Sequence, residues 1–233
     1  MQRYFLESQE NVITAENAYH IKTVMRMKKG DHIEVCYPNK RCYIAALTQV
    51  ADVIQFQEIK EIISQNKLPE VVLIQGLPKS DKAEITTKYA TQFGVSSIIF
   101  TEMTYSIAKM DPKKDDKKVD RLQKIAIESA RLAHRNDYPV ITYQKSISKI
   151  SYEDAIILLA YEQEKTTTIK EVLGYSQSDK KIILIVGPEG GISPVELDFF
   201  TKLGAKSISL GKRILQTEIA AIYALSVIDS IYE

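Results

Sequence analysis

Residues 185–194 read IVGPEGGISP, and residues 210–218 read LGKRILQTE. Before the first lies KIILIV, residues 181–186, an apolar run of strand length such as a buried parallel strand carries. Gly187, Gly190 and Gly191 then crowd into five residues, where small residues let a ligand approach the backbone. Ser193-Pro194-Val195-Glu196 follows as a capping box with proline at the first helical position. The second stretch repeats this order. SISL, residues 207–210, reads as a strand, Gly211 as its turn, and residues 219–231 as an apolar helix. Two strand–loop–helix units in tandem place both loops at the C-terminal edge of one sheet, where open α/β sheets bind ligands.

Neither loop is a phosphate loop. There is no GxGxxG and no GxxxxGK[ST], and Glu189 inside the first loop would repel a phosphate. Taken alone, the first loop reads equally as a tight turn without a ligand. The pair changes that balance.

GPEGGIS-x-x-E followed by LG-x-RIL-x-TE-x-A resembles the double signature of the RsmE-type ribosomal RNA methyltransferases of the SPOUT superfamily. The resemblance implies an α/β fold: a C-terminal SPOUT-type domain with a trefoil knot, an exception to the rule against threaded chains, and a small N-terminal PUA-like β-barrel. It implies S-adenosylmethionine as cofactor, held by Ile185, Gly187, Pro188, Glu189, Gly190, Gly191, Leu210, Gly211, Ile214, Leu215 and Thr217, in a pocket lined by backbone with few charged side chains. It implies methylation at N3 of a uridine in small-subunit (16S) ribosomal RNA, as naked RNA or in the assembled 30S particle. Methylation of a ribose 2′-hydroxyl or of transfer RNA, and a relative that binds RNA without catalysis, are the rival readings.

The remainder of the chain is consistent with two domains, 1–68 and 69–233. Up to about residue 64, apolar and polar residues alternate as in short antiparallel strands, which a small barrel accommodates. A helix over residues 15–25 interrupts them. A hairpin is expected at 33–47, its turn at Pro38-Asn39-Lys40. After a linker at Lys67-Leu68-Pro69 the pattern alternates. Strands are expected at 71–75, 95–100, 140–143 and 156–160, and helices at 79–93 and 117–134. Alternation of this kind implies a mostly parallel sheet with helices on both faces.

Composition bounds the chemistry. With 233 residues, 45% hydrophobic and 26% charged, this is an ordinary globular composition. The net charge of +1 announces no nucleic-acid partner by itself. No run has transmembrane length, and the N-terminus lacks the apolar core of a signal peptide, so a cytoplasmic protein is expected. Cys36 and Cys42 fall on the two arms of the hairpin and read as reduced strand filler. No metal-ligand spacing is present, and no Pro-Cys nucleophile for attack on a pyrimidine ring carbon.

Charge is locally uneven. Lys22, Arg26, Lys28, Lys29, Lys40 and Arg41 outnumber Asp31 and Glu34, which suits an RNA backbone, although a solvated turn would look the same. Arg131, His134 and Arg135 end the long helix, where cations are expected on dipole grounds alone. The resembling family ends this helix with Glu-x-x-x-Gln-x-Gly-Arg. Glu128 and Arg135 match, while Leu132 and His134 stand for the glutamine and glycine. The family's arginines are also replaced at Met103 and Gln216. The residues expected to bind RNA are Arg26, Lys28, Lys29, Arg131 and Arg213. Arg135 is the expected stabiliser of a uracil anion, and Glu218 the other catalytic candidate. The irregular stretch 101–114 is expected to act as a substrate lid. The last helix is apolar on more than one face, which implies a homodimer.

Overall fold

The computed structural model describes residues 1–63, 68–79, 81–110, 116–174 and 180–232. The linker residue Lys67, Ser80 in the expected second helix and residues 111–114 of the expected lid lie outside the described residues. The chain divides into two compact units, Met1–Gln65 with Ala130–Asp137, and Asn66–Ser129 with Tyr138–Glu233.

The first unit contains β1 (Arg3–Phe5), β2 (Val12–Ile13), α1 (Ala15–Tyr19), β3 (His32–Cys36), β4 (Cys42–Val50) and β5 (Ile54–Ile62). A π-helical turn, His20–Val24, continues α1, so the expected helix is present with its second half wound more loosely than an α-helix. The strands form one sheet in the order β1-β3-β4-β5-β2. β3, β4, β5 and β2 pair antiparallel, as alternation predicts. β1 departs from the expectation and runs parallel to β3. Tyr4, Ile21, Ile33, Val35, Leu47, Ile54 and Phe56 form the core of this unit. Cys36 and Cys42 face each other across the hairpin with Cα atoms 4.1 Å apart, and they are joined as a disulfide. The expectation of reduced filler is thus corrected. The hairpin read from the sequence already allows the two to sit near each other across the strands, and the structure joins them.

The second unit contains β6 (Val71–Gly76), α2 (Lys82–Gln92), β7 (Ser97–Thr101), α3 (Asp116–Leu132, whose last turn belongs to the first unit), β8 (Val140–Gln144), β9 (Ala155–Ala160), α4 (Ile169–Leu173), β10 (Lys181–Val186), α5 (Pro194–Lys202), β11 (Lys206–Ile208) and α6 (Thr217–Tyr232). Its six strands are all parallel, in the order β11-β9-β10-β6-β7-β8. Side chains alternate between the two faces. Leu73, Ile182 and Leu184 join a core that includes Leu225 and Ile228 of α6, while Val72, Ile74, Ile183 and Ile185 join a second core with Phe200 of α5. Burial on both faces explains why β6 and β10 read as continuous apolar runs. Each fully buried leucine among them contributes about 1.5–3 kcal/mol. The chain runs outward from β6 to β7 and β8, then returns so that β10 lies between β6 and β9. That reversal of strand order creates the crevice in which open α/β sheets place their sites.

Candidate active site

The segments leaving the C-terminal ends of β9, β10 and β11 surround a cavity of about 400 Å³. Its lining includes Val186, Gly187, Pro188, Glu189, Gly190, Gly191 and Ile192 after β10, and Leu210, Gly211, Arg213, Ile214, Leu215, Gln216 and Thr217 after β11. Tyr161, Glu162, Glu164 and Lys165 after β9 add a third wall, and Lys82 of α2 completes the rim.

Local chemistry fixes each wall. Ser193 caps α5 in the expected capping box, its hydroxyl accepting from the Glu196 amide and the Glu196 carboxylate accepting from the Ser193 amide. The same carboxylate accepts from the Thr104 amide at 2.6 Å and so pins the 101–110 stretch beside the glycine loop. Glu164 Oε1 accepts from the amides of Lys165, Thr166 and Thr167 and from the Thr166 hydroxyl. Those bonds, the Thr167 and Thr166 amides foremost, pull its pKa down to about 2 and fix the loop after β9. Beneath the cavity, Gln75 Nε2 donates to Thr217 Oγ1 at 2.8 Å, and Thr217 Oγ1 donates to the Gly187 carbonyl at 2.5 Å. This fully buried amide thus joins the start of the first signature loop to the end of the second.

Close approach demands glycine at Gly76, and a left-handed backbone demands it at Gly191. A Cβ on Gly76 would lie 2.5 Å from the nitrogen and Cδ of Pro188, so β6 and the glycine loop touch at backbone distance. Gly191 has φ +76, and a Cβ there would come within 3.0 Å of a Glu162 carboxylate oxygen.

Comparison with known proteins accords with this geometry. Residues 64–229 match the RNA methyltransferase domain family, and residues 13–52 match the RNA methyltransferase PUA domain. The ribosomal RNA small subunit methyltransferase E of Bacillus subtilis (strain 168) is 32% identical, over 98% of this chain and 96% of its own length. The chain belongs to this RNA methyltransferase family. A crystal structure of a protein described as hypothetical superposes with TM-score 0.90 at 31% identity, covering 100% of this chain and 99% of that one. A ribosomal RNA small subunit methyltransferase E from Neisseria gonorrhoeae, crystallised with S-adenosyl methionine, shares the fold at TM-score 0.81. It is 23% identical, with 100% of this chain and 98% of that chain covered.

Within this methyltransferase, the cavity gathers Gly187, Pro188, Glu189, Gly190, Gly191, Leu210, Gly211, Ile214, Leu215 and Thr217, together with Arg213. Ile185 is a correction. It is fully buried in the core against α5, and its neighbour Val186 is the residue that reaches the cavity. The strand's period of two turns one of the pair away. The expectation of few charged side chains is also corrected. Lys82, Glu162, Glu164, Lys165, Glu189 and Arg213 all line the space. Sequence reading missed the wall after β9, although AIILLA followed by a polar run has the same strand-then-loop order as the two signatures.

Glu218 is not among the lining residues. Its carboxylate, 6% exposed, pairs with Lys82 Nζ at 3.2 Å. Arg131 and Arg135 belong to the first unit. Arg131 donates to Asn17 Oδ1 at 2.7 Å and lies over the Tyr4 ring, so its guanidinium is engaged in holding that unit. Arg135 pairs with Asp137 at 2.8 Å, and Lys40 pairs with the same carboxylate at 2.9 Å. Burial would raise the Asp137 pKa, but Lys40 and Arg135 outweigh it and hold the carboxyl below its usual range. His134 has φ +51 at the end of α3, a left-handed position that favours glycine. Its carbonyl accepts from the Arg3 guanidinium, which also bonds Asn136 and Glu34. Arg26, Lys28 and Lys29 are exposed on the segment before β3.

Among the described residues no cluster of His, Cys, Asp and Glu could hold a metal ion, and no helix is long and apolar enough to cross a membrane.

Proposed function

We propose that this methyltransferase transfers a methyl group from S-adenosylmethionine to N3 of a uridine in small-subunit ribosomal RNA, acting in the cytoplasm. The observation that carries the cofactor reading is the cavity itself. It is formed by both signature loops at the C-terminal edge of the sheet and has the volume of a small-molecule site. Gly187, Gly190 and Gly191 line the space without side chains of their own, while Leu210, Ile214 and Leu215 offer apolar surface to a purine ring.

When bound, the cofactor supplies a methyl already activated on a sulfonium. The chain's own work is then positional. The glycine loop and the loop after β11 orient the methyl donor, and Arg213 at the rim offers a cation to the RNA. Uridine N3 must lose its proton before it can attack, and Arg135 is the proposed stabiliser of the resulting uracil anion. Glu218 acts through its ion pair with Lys82. The C-terminal segment is proposed to be knotted, and insertion of β10 between β6 and β9 supports that reading. The first unit is proposed to close as a PUA-like barrel that docks RNA through Arg26, Lys28 and Lys29, with residues 1–68 and 69–233 as the functional domains. A homodimer through α6 is proposed because Ile219 and Tyr223 stay exposed beside its buried face.

The decisive test offers unmodified 30S particles, or their naked RNA, with isotopically labelled cofactor and identifies the labelled nucleoside. 3-Methyluridine is expected. A 2′-O-methyl nucleoside, label in transfer RNA alone, or RNA binding without transfer would replace this reading.

A further inference from the structure

We propose that Lys82 is a positioning residue that clips the two signature loops together, and that cofactor affinity depends on this clip. Lys82 lies in the first turn of α2, outside both signatures. Its Nζ is 3.5 Å from Glu189 Oε1 in the glycine loop and 3.2 Å from Glu218 Oε2 at the start of α6. Those carboxylates belong to segments whose positions define two walls of the cavity, and one ammonium bridges them.

The arrangement has direction. Glu189 Oε1 also accepts from the Lys79 amide at 3.0 Å, so the approach to α2 grips the glycine loop twice. Desolvation lowers the Lys82 pKa, but Glu218 and then Glu189 outweigh it and hold the ammonium above the ordinary lysine range. Glu189 is likewise held low; burial opposes, and the Lys79 and own-loop amides with Lys82 prevail. Below this charged layer the neutral bridge from Gln75 through Thr217 to Gly187 ties the same two segments. The neutral layer sets the base of the loops. The charged layer sets their outer spacing, where a ligand enters. Without Lys82, two carboxylates would face each other with no cation between them, and like charges repel. The loops would then spread at the mouth of the cavity while their bases stayed in place.

The affinity part of this inference rests on the cofactor reading above, so two measurements separate them. Hydrogen exchange on ligand-free protein reads the clip alone. Lys82→Met is expected to speed exchange at the Gly191 and Ala220 amides, which are bonded to Pro188 and Gln216, by about tenfold or more while leaving β6 and β10 protected. Lys82→Arg is expected to restore protection. Titration with S-adenosylmethionine then reads the consequence, an affinity about tenfold weaker in Lys82→Met, recovered to within about threefold in Lys82→Arg, with RNA affinity unchanged. Glu189→Gln, which removes one arm without touching α2, is expected to show the same loosening in milder form. Unchanged exchange in Lys82→Met overturns the clip. Faster exchange with unchanged affinity overturns its role in binding. If wild-type protein fails to bind S-adenosylmethionine, the cofactor reading falls, and exchange still decides the clip.

Discussion

Gly76→Ala probes the contact on which the cavity is built. Gly76 ends β6, and a Cβ there would sit 2.5 Å from Pro188 N and Cδ and 2.9 Å from the Gly187 carbonyl carbon. Those are backbone or ring atoms, so no flexible side chain can swing aside. Reaching ordinary contact at 3.4 Å requires strand and loop to part by about 0.9 Å. Overpacking of this kind costs about 1–3 kcal/mol. Replacing glycine also removes unfolded-state freedom and returns about 0.4–1 kcal/mol. The net loss lies between about 0 and 2.6 kcal/mol, or up to roughly 10 °C in Tm for a unit of this size. The larger effect falls on the site. Displacing the glycine loop by nearly 1 Å moves the groups that orient the cofactor, and a misplacement of that scale costs about 100-fold in rate. Thermal unfolding, S-adenosylmethionine titration and the rate of methyl transfer on the same preparation measure these effects. A variant with wild-type affinity and Tm within about 1 °C would refute the close approach of β6 and the loop.

Gly190→Val is expected to abolish cofactor binding while the N-terminal unit stays folded, because a Cβ there meets Tyr105 Cβ at 2.6 Å; cofactor titration with hydrogen exchange reads both. Replacing Arg26, Lys28 and Lys29 together by alanine should weaken RNA binding and reduce the slope of log affinity against log salt by roughly 2–3, with cofactor affinity unchanged. Arg3→Ala removes one of two partners of the Glu34 carboxylate, leaving His134 at 2.9 Å, and is expected to cost the first unit about 1–3 kcal/mol, seen as lost amide protection in β3 and β4. Glu164 has a folded pKa of about 2 against an ordinary 4.5, so its contribution to stability is present above 4.5 and is lost as pH falls toward 2. Glu164→Gln should therefore flatten the fall in Tm across that interval, and an unaltered pH profile would count against the loop geometry.

Local features were readable from the chain because their causes are local. The bounds of β10 follow from an unbroken apolar run, the start of α5 from Ser193, Pro194 and Glu196, and the β3–β4 hairpin from alternation about Pro38-Asn39-Lys40. The two glycine loops could be assigned to one pocket because tandem strand–loop–helix units share a sheet edge. His134 could be marked as a departure from the resembling pattern. Only its φ of +51 gives the reason a glycine belongs there.

What the sequence determined by itself was the alternation that makes a parallel sheet, and the two loops that make a site. The tertiary structure decided which side chains complete that site. Lys82, Glu189 and Glu218 lie on three separate segments and meet only because β6 and β10 are neighbours and α6 packs on α2. The loop after β9 becomes a third wall because β9 pairs with both β10 and β11. The segment after α3 joins the first unit through Arg3, which bonds His134 and Asn136. Helix caps, turns and period-two alternation act over a few residues and leave a mark in the chain. Ion pairs, backbone contacts and strand neighbours between distant segments are fixed by how the layers pack, and they have no period to read.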